Sequence, residues 1–255
     1  MAVQLAELTI TEDDDSRGGA TSAATAKMSW RGLFACLLVA ATGFFHGYDN
    51  GVVNGVFEMP AFRHHMGWPP SEDRDAQNAH VALYQGLTVN SFNGGAALSA
   101  MAFGQLVDSK GRRPALRLGS VCFAVGGAVQ AASPNAVVLI LGRLVSGVGV
   151  GLTSSAGTAY IAEAAPASRR GALVGVYQNN ICIAILLAAV LNWSFRQWEH
   201  GWQLTLGLQL LMGVGVCAGL CFVPETPRFL AKAGRIDEAR HVLQELRGGA
   251  DAAEA

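Results

Sequence analysis

The sequence predicts an all-α membrane protein, a bundle of six transmembrane helices followed by short amphipathic helices. Three observations predict it. Only 15% of the 255 residues are charged and 51% are hydrophobic, against the roughly 25% charged usual in soluble domains. The stretch Gly104-Gln-Leu-Val-Asp-Ser-Lys-Gly-Arg-Arg-Pro114 places four charges between two apolar runs, each near the ~20 residues needed to cross a bilayer. Small residues recur inside the runs, as in Gly94-Gly95-Ala96-Ala97 and Gly147-Val148-Gly149-Val150-Gly151. They let helix backbones approach closely where lipid supplies no hydrophobic drive, whereas a soluble helical core avoids the roughly 1 kcal/mol propensity cost of each glycine.

In chain order, residues 1–29 are polar and include Glu12-Asp13-Asp14-Asp15. This composition predicts a disordered tail, and it lacks the basic start and small-residue cleavage site of a secretory signal. Six spans follow, at about 32–57, 81–106, 115–133, 136–161, 172–193 and 202–223. Gly111 and Pro114 are expected to break the helix between spans two and three. Beyond Pro224 the chain turns polar, and the apolar residues between Phe229 and Leu246 recur at helical spacing on either side of Gly234. That pattern predicts two short amphipathic helices beneath the bundle. The expected domains are therefore a tail at 1–29, a transmembrane domain at 30–223 and terminal helices at 224–255.

Lys and Arg set the orientation. With the N-terminus inside, fourteen of the 18 basic residues fall on the inner side and three (Arg63, Arg74 and Arg196) on the outer side, leaving Arg143 within a span. This asymmetry predicts both termini in the cytoplasm. Trp193, Trp198 and Trp202 then stand at the outer interface, where amphipathic aromatics belong.

Several function classes are disfavoured. A net charge of −1 gives no basic footprint for nucleic acid. The five cysteines lie in apolar runs and read as small packing residues without disulfides. His64 and His65 are adjacent, so they point different ways on a helix, and no third metal ligand has useful spacing. No nucleophile, base and orienting group fall together as an enzyme requires. No cofactor is implied, because Gly147-x-Gly149-x-Gly151 follows no strand and so is no dinucleotide loop.

Asp49 and Arg143 carry the chemistry. An ionisable residue inside a bilayer is costly and expected to have a partner. Each is the other's only apparent counter-ion. The arginine favours the charged carboxylate and desolvation opposes it, so small movements can load or release a proton.

Four motifs now fall in one order: Gly104-x-x-x-Asp108-x-x-Gly111-Arg112-Arg113, Gly142-Arg143, Tyr160-x-x-Glu163-x-Ala165-Pro166-x-x-x-Arg170-Gly171, and Pro224-Glu225-Thr226-Pro227-Arg228. In these the chain resembles the sugar-porter branch of the major facilitator superfamily, and within it the proton-coupled hexose transporters of plants and algae. The resemblance covers about residues 30–247, the N-terminal half of a twelve-helix fold. It implies secondary active transport of a monosaccharide by proton symport, with the substrate and protons, the lipid bilayer and a second six-helix half as partners. It also implies a plasma-membrane location and alternating access, in which two halves rock about a central site.

Residue by residue, the resemblance implies that Asp49 and Arg143 are the proton-coupling pair and that Gln178 is a sugar ligand. An amide offers both a donor and an acceptor to adjacent hydroxyls. Asn179, Phe44, His46 and Asn50 are further substrate-side candidates. The family commonly has Phe where His46 stands, and its plant symporters an apolar residue at Asn50. Asp108, Arg112, Arg113, Glu163, Arg170, Glu225 and Arg228 would form an inner gate network. Sugar facilitators of the branch carry a neutral amide in place of Asp49, so the acid favours symport. A facilitative uniporter, a non-transporting sugar sensor and an inert half-transporter remain as alternatives, as does a purely structural Asp49–Arg143 pair.

Overall fold

The computed structural model describes residues 28–68 and 79–247, with the side chains of residues 79, 80, 103, 105 and 106 excepted. The expected tail through residue 27, the acidic residues 72–75 and the segment from residue 248 onward lie outside the described residues. Ten helices run in order, all of them α-helical and with no strand among the described residues: α1 Trp30–Ala40, α2 Gly43–Val56, α3 Pro60–His65, α4 Ala79–Lys110, α5 Arg112–Ala131, α6 Ala136–Ala164, α7 Ala167–Phe195, α8 Gly201–Gly219, α9 Pro227–Lys232 and α10 Ile236–Arg247.

Among the described residues, four segments are long and apolar enough to cross a membrane by length and composition: Trp30–Val56, Ala136–Ala164, Ala167–Phe195 and Gly201–Gly219. Helices α4, with 32 residues, and α5, with 20, complete the six spans. Polar and charged side chains, among them Asn90, Asn93, Asp108 and Lys110 in α4 and Arg112, Arg113 and Arg117 in α5, lower their hydropathy but not their reach.

The breaks differ from expectation in two places. The first span is interrupted at Ala41–Thr42, where Thr42 Oγ1 donates to Val39 O at 2.7 Å. Between spans two and three only Gly111 leaves the helix, with φ of 101°. Pro114 does not break it. It lies in the first turn of α5, where its missing N–H removes no intrahelical bond.

Helix α6 is the axis of the bundle, packed on α1, α4 and α5, while α7 packs along α2 and α8 along α5. Its glycines make this possible. A Cβ at Gly147 would lie 2.2 Å from Phe92 O of α4, and one at Gly149 would lie 2.5 Å from Gly119 O of α5. Backbone thus meets backbone on two sides of one helix.

The core forms three layers along the bundle. One surrounds Cys36, Tyr160, Leu220 and Leu246 at the basic end. Phe45, Phe92, Phe123 and Val150 fill the middle, and Val52, Phe57, Phe62 and Trp202 fill the far end. Trp202 is therefore not an interfacial aromatic. It is 2% exposed and lies edge-on to Phe62, whereas Trp193 and Trp198 are exposed as expected.

The two short helices beyond Pro224 form as predicted, separated at Gly234 with φ of 79°. Helix α10 returns to the start of α1: Ser29 N donates to Leu246 O at 2.9 Å, and Arg31 pairs with Glu245 at 2.8 Å.

Candidate functional site

In the middle layer α2 and α6 place Asp49 and Arg143 against each other. They are 0% and 1% exposed. Arg143 Nη1 donates to Asp49 Oδ2 and, at 2.9 Å, to Asp49 O. Its Nε donates to Thr88 O of α4 at 3.1 Å, and its guanidinium lies 4.8 Å above the Phe92 ring. One cation thus ties three helices together. Desolvating two charges costs several kcal/mol per ion, which pairing offsets only when the geometry and surrounding hydrogen bonds are good.

Around the pair stand polar side chains absent from the sequence-based site. Gln130 of α5 and Gln209 of α8 are both fully buried. Gln130 Nε2 donates to Ser146 Oγ at 2.8 Å and to Gln209 Oε1 at 3.2 Å. Asp49 Oδ1, Gln130 Oε1 and Gln209 Nε2 are buried with no hydrogen-bond partner among the described residues, so the core holds unspent polar capacity. The signal for these residues was available, since an amide within a membrane span needs a partner as a charge does.

His46 does not hydrogen-bond Asp49. Its ring packs at near right angles to Phe92, with centroids 5.9 Å apart, the same ring that Arg143 contacts. Asn50 Nδ2 donates at 2.9 Å to His46 O on its own helix. Phe44 is half-buried against the far-end core, and its neighbour Phe45 stacks on Phe123 at 4.3 Å.

On α7, Gln178 and Asn179 are both exposed. Asn180 instead turns inward, and its Nδ2 donates at 3.0 Å to Ala40 O, the carbonyl left at the break between α1 and α2. Of the three consecutive amides, one is therefore engaged within the bundle and two face outward.

At the basic end, Arg112 Nη2 pairs with Glu163 Oε1 at 2.9 Å and with Asp108 at 3.5 Å. Glu225 accepts the backbone N–H of Arg112 at 3.1 Å and of Arg113 at 3.2 Å. This carboxylate caps the N-terminus of α5, where the helix dipole favours negative charge. Gly111 admits it, for a Cβ there would lie 2.4 Å from Glu225 Oε2. The Arg113 guanidinium donates to Cys221 O at 2.7 Å, and Arg117 to Leu220 O at 3.2 Å. Five of the seven predicted gate residues are thus joined. Arg170 and Arg228 are exposed and form no ion pair among the described residues. Tyr160 adds a contact, donating to Pro224 O at 3.1 Å.

His65, considered above for metal binding, lies 3.2 Å from Ser133 O and against Trp202 at 5.0 Å. No group of three or more metal-binding side chains occurs among the described residues.

The comparisons with known proteins agree with this architecture. The family model described as "Sugar (and other) transporter" matches residues 35–255. The chain is 33% identical over 226 residues to the H(+)/hexose cotransporter 1 of Parachlorella kessleri, covering 85% of this chain and 42% of that protein. It is 38% identical over 210 residues to the human proton myo-inositol cotransporter, covering 82% of this chain and 30% of that one. Among solved structures, the xylose transporter XylE from E. coli, in a partially occluded inward-open conformation, superposes with a TM-score of 0.77 at 25% identity, over 89% of this chain and 56% of that one. The chain thus spans about half the length, or less, of the proteins it matches. Six helices arranged around a buried Asp–Arg pair, together with the match along residues 35–255, place this membrane protein in the sugar (and other) transporter family, as a major facilitator sugar porter's N-terminal half.

Proposed function

We propose that this chain supplies one half of a proton-coupled monosaccharide transporter, with Asp49 and Arg143 as its coupling pair. The observation that carries the reading is the burial of both charges in the middle layer, 0% and 1% exposed, on helices that other contacts hold together. A carboxylate there exchanges its proton only when the bundle rearranges, which links protonation to conformation. The cotransporter names of two of the relatives support symport.

Gln178 is the central sugar ligand in this reading, with Asn179 beside it. Their exposure on an apolar span is costly in lipid and fits a face turned toward a second six-helix half. Phe44, His46 and Asn50 are the further substrate-side candidates on α2, of which His46 and Asn50 share one face. Asp108, Arg112, Arg113, Glu163 and Glu225 form the inner latch, and Arg170 and Arg228 join it when the second half moves. Exposed pairs are individually weak, but a network can supply the few kcal/mol that shift two states. The charge asymmetry puts this latch in the cytoplasm, with 30–223 as the transport domain, 224–255 beneath it and the plasma membrane as the site of action.

The test is proton-driven uptake of labelled hexose into proteoliposomes holding the chain and its second half. Asp49→Asn is expected to abolish accumulation while sugar exchange persists. Accumulation unchanged in that variant sinks the coupling role.

A further inference from the structure

The helices of the central site carry polar residues well beyond it. On α2, His46, Asn50 and Asn54 recur every fourth residue, and Glu58 continues the row just past the helix end. Residues four apart share a helix face. On α7, Gln178, Cys182, Ile185, Ala189 and Trp193 also follow one face, and that face ends at Arg196. The two rows meet at the far end in a cavity of about 560 Å³, lined among others by Asn54, Glu58, Asn192, Trp193 and Arg196.

This cavity has a constructed floor. Asn192 is 5% exposed, and its Nδ2 donates to Val52 O at 2.9 Å. It fits because position 55 is glycine: a Cβ there would lie 2.1 Å from Asn192 Nδ2. Asn192 Oδ1 is buried without a hydrogen-bond partner among the described residues, an acceptor whose desolvation is uncompensated. At the rim, Glu58 and Arg196 line one cavity with opposite charges but form no ion pair within 4 Å. Trp193 is 74% exposed and adds a broad indole surface.

We infer that this cavity is a second, outer subsite for a polyhydroxylated ligand such as a monosaccharide or cyclitol, distinct from the site at Gln178. The chemistry is complementary. Carboxylate and guanidinium take several hydroxyls through charge-assisted hydrogen bonds, Asn54 offers both donor and acceptor, and the indole covers the C–H face of a ring. At about 1.5 Å per residue, Asn192 lies about 21 Å along α7 from Gln178, so one monosaccharide cannot span both. The subsite collects substrate at the mouth of a polar track that leads inward past Asn50 and His46. It rests on the sugar-transport reading for its ligand class but on different residues for its geometry.

The test uses the chain assembled with its second six-helix half in phosphatidylcholine nanodiscs, with 5-fluorotryptophan incorporated and the Trp193 fluorine resonance assigned through Trp193→Phe. D-glucose and myo-inositol are titrated against an osmotically matched solute without hydroxyls. The expected result is a saturable shift of the Trp193 resonance by the polyols alone. Glu58→Gln and Asn54→Leu should weaken it about five- to tenfold, the effect of losing a hydrogen bond. Gln178→Ala should leave it unchanged. No polyol-specific shift overturns the inference, as does a shift insensitive to both variants. A shift abolished by Gln178→Ala also overturns it, by assigning the signal to the central site. Displacement of the polyols by phosphatidylinositol in the disc would make the cavity a lipid-headgroup site and likewise overturn it. Failure of the central reading appears separately, as sugar uptake by the complete transporter that is indifferent to Gln178→Ala.

Discussion

Asp49 and Arg143 were legible as residues because charge within a span is costly and must be paired. What surrounds them was not. Gln130 and Gln209 stand 79 positions apart in sequence, and only the packing of α8 along α5 brings their amides into hydrogen-bond contact. Removing one partner of a buried pair leaves an uncompensated charge, costing about 3–5 kcal/mol. Arg143→Ala is accordingly expected to lower the thermal unfolding temperature in detergent more than Asp49→Asn, which keeps the side-chain shape and leaves the guanidinium its bonds to Asp49 O and Thr88 O. Equal losses in the two variants would count against that account. For Gln178, which makes no side-chain hydrogen bond among the described residues, truncation to Ala should spare stability. Sugar affinity of the complete transporter should fall about 3- to 15-fold, the range for one hydrogen bond. Binding measured by isothermal titration distinguishes the two effects.

At the scale of elements, glycines set the distances. Helix α6 presents Gly147 to Phe92 O and Gly149 to the backbone of α5, and neither side has room for a methylene. Gly147→Val should therefore separate α4 from α6 and pull Thr88 O away from Arg143. Overpacking of this kind costs roughly 1–3 kcal/mol, and the loss should appear as reduced yield of folded chain by size exclusion. Gly111 is constrained twice, by its φ of 101° and by the Glu225 carboxylate beside it. Gly111→Ala is expected to cost about 1–2 kcal/mol from the backbone alone. In Glu225→Ala that variant's additional cost should shrink, because the crowding carboxylate is gone. A double-mutant cycle read by thermal unfolding gives the coupling, and strict additivity would argue against contact between the two positions. The sequence marked this turn as a break but misassigned Pro114, whose effect depends on where the helix starts. The capping carboxylate that helps to start α5 at Arg112 comes from a residue more than a hundred positions downstream.

For the whole molecule, the distribution of polar residues matters more than their number. The basic end is closed by Glu225, Arg113, Tyr160 and the returning helix α10, while α7 presents Gln178 and Asn179 outward. A span with a lipid-facing amide pair is unfavourable, so this face is expected to be covered by a second six-helix half. Vesicles containing the chain alone should accumulate no hexose against a gradient, and adding that half should restore uptake. Accumulation by the chain alone would refute the need for the second half.

By itself the sequence determined the class of molecule, the number of spans, the charged motifs of the basic end and the identity of the buried pair. These rest on local composition, periodicity and the cost of charge in lipid, all of which can be read along one dimension. Only the tertiary structure decided that Asn180 turns inward while Gln178 does not, that Trp202 is core, that Gln130 bonds Gln209, and that Asn192 lies against Gly55 at the floor of a cavity. Each depends on which faces of distant helices meet. Backbone contacts at glycines set those meetings, and spacing along the chain does not encode them.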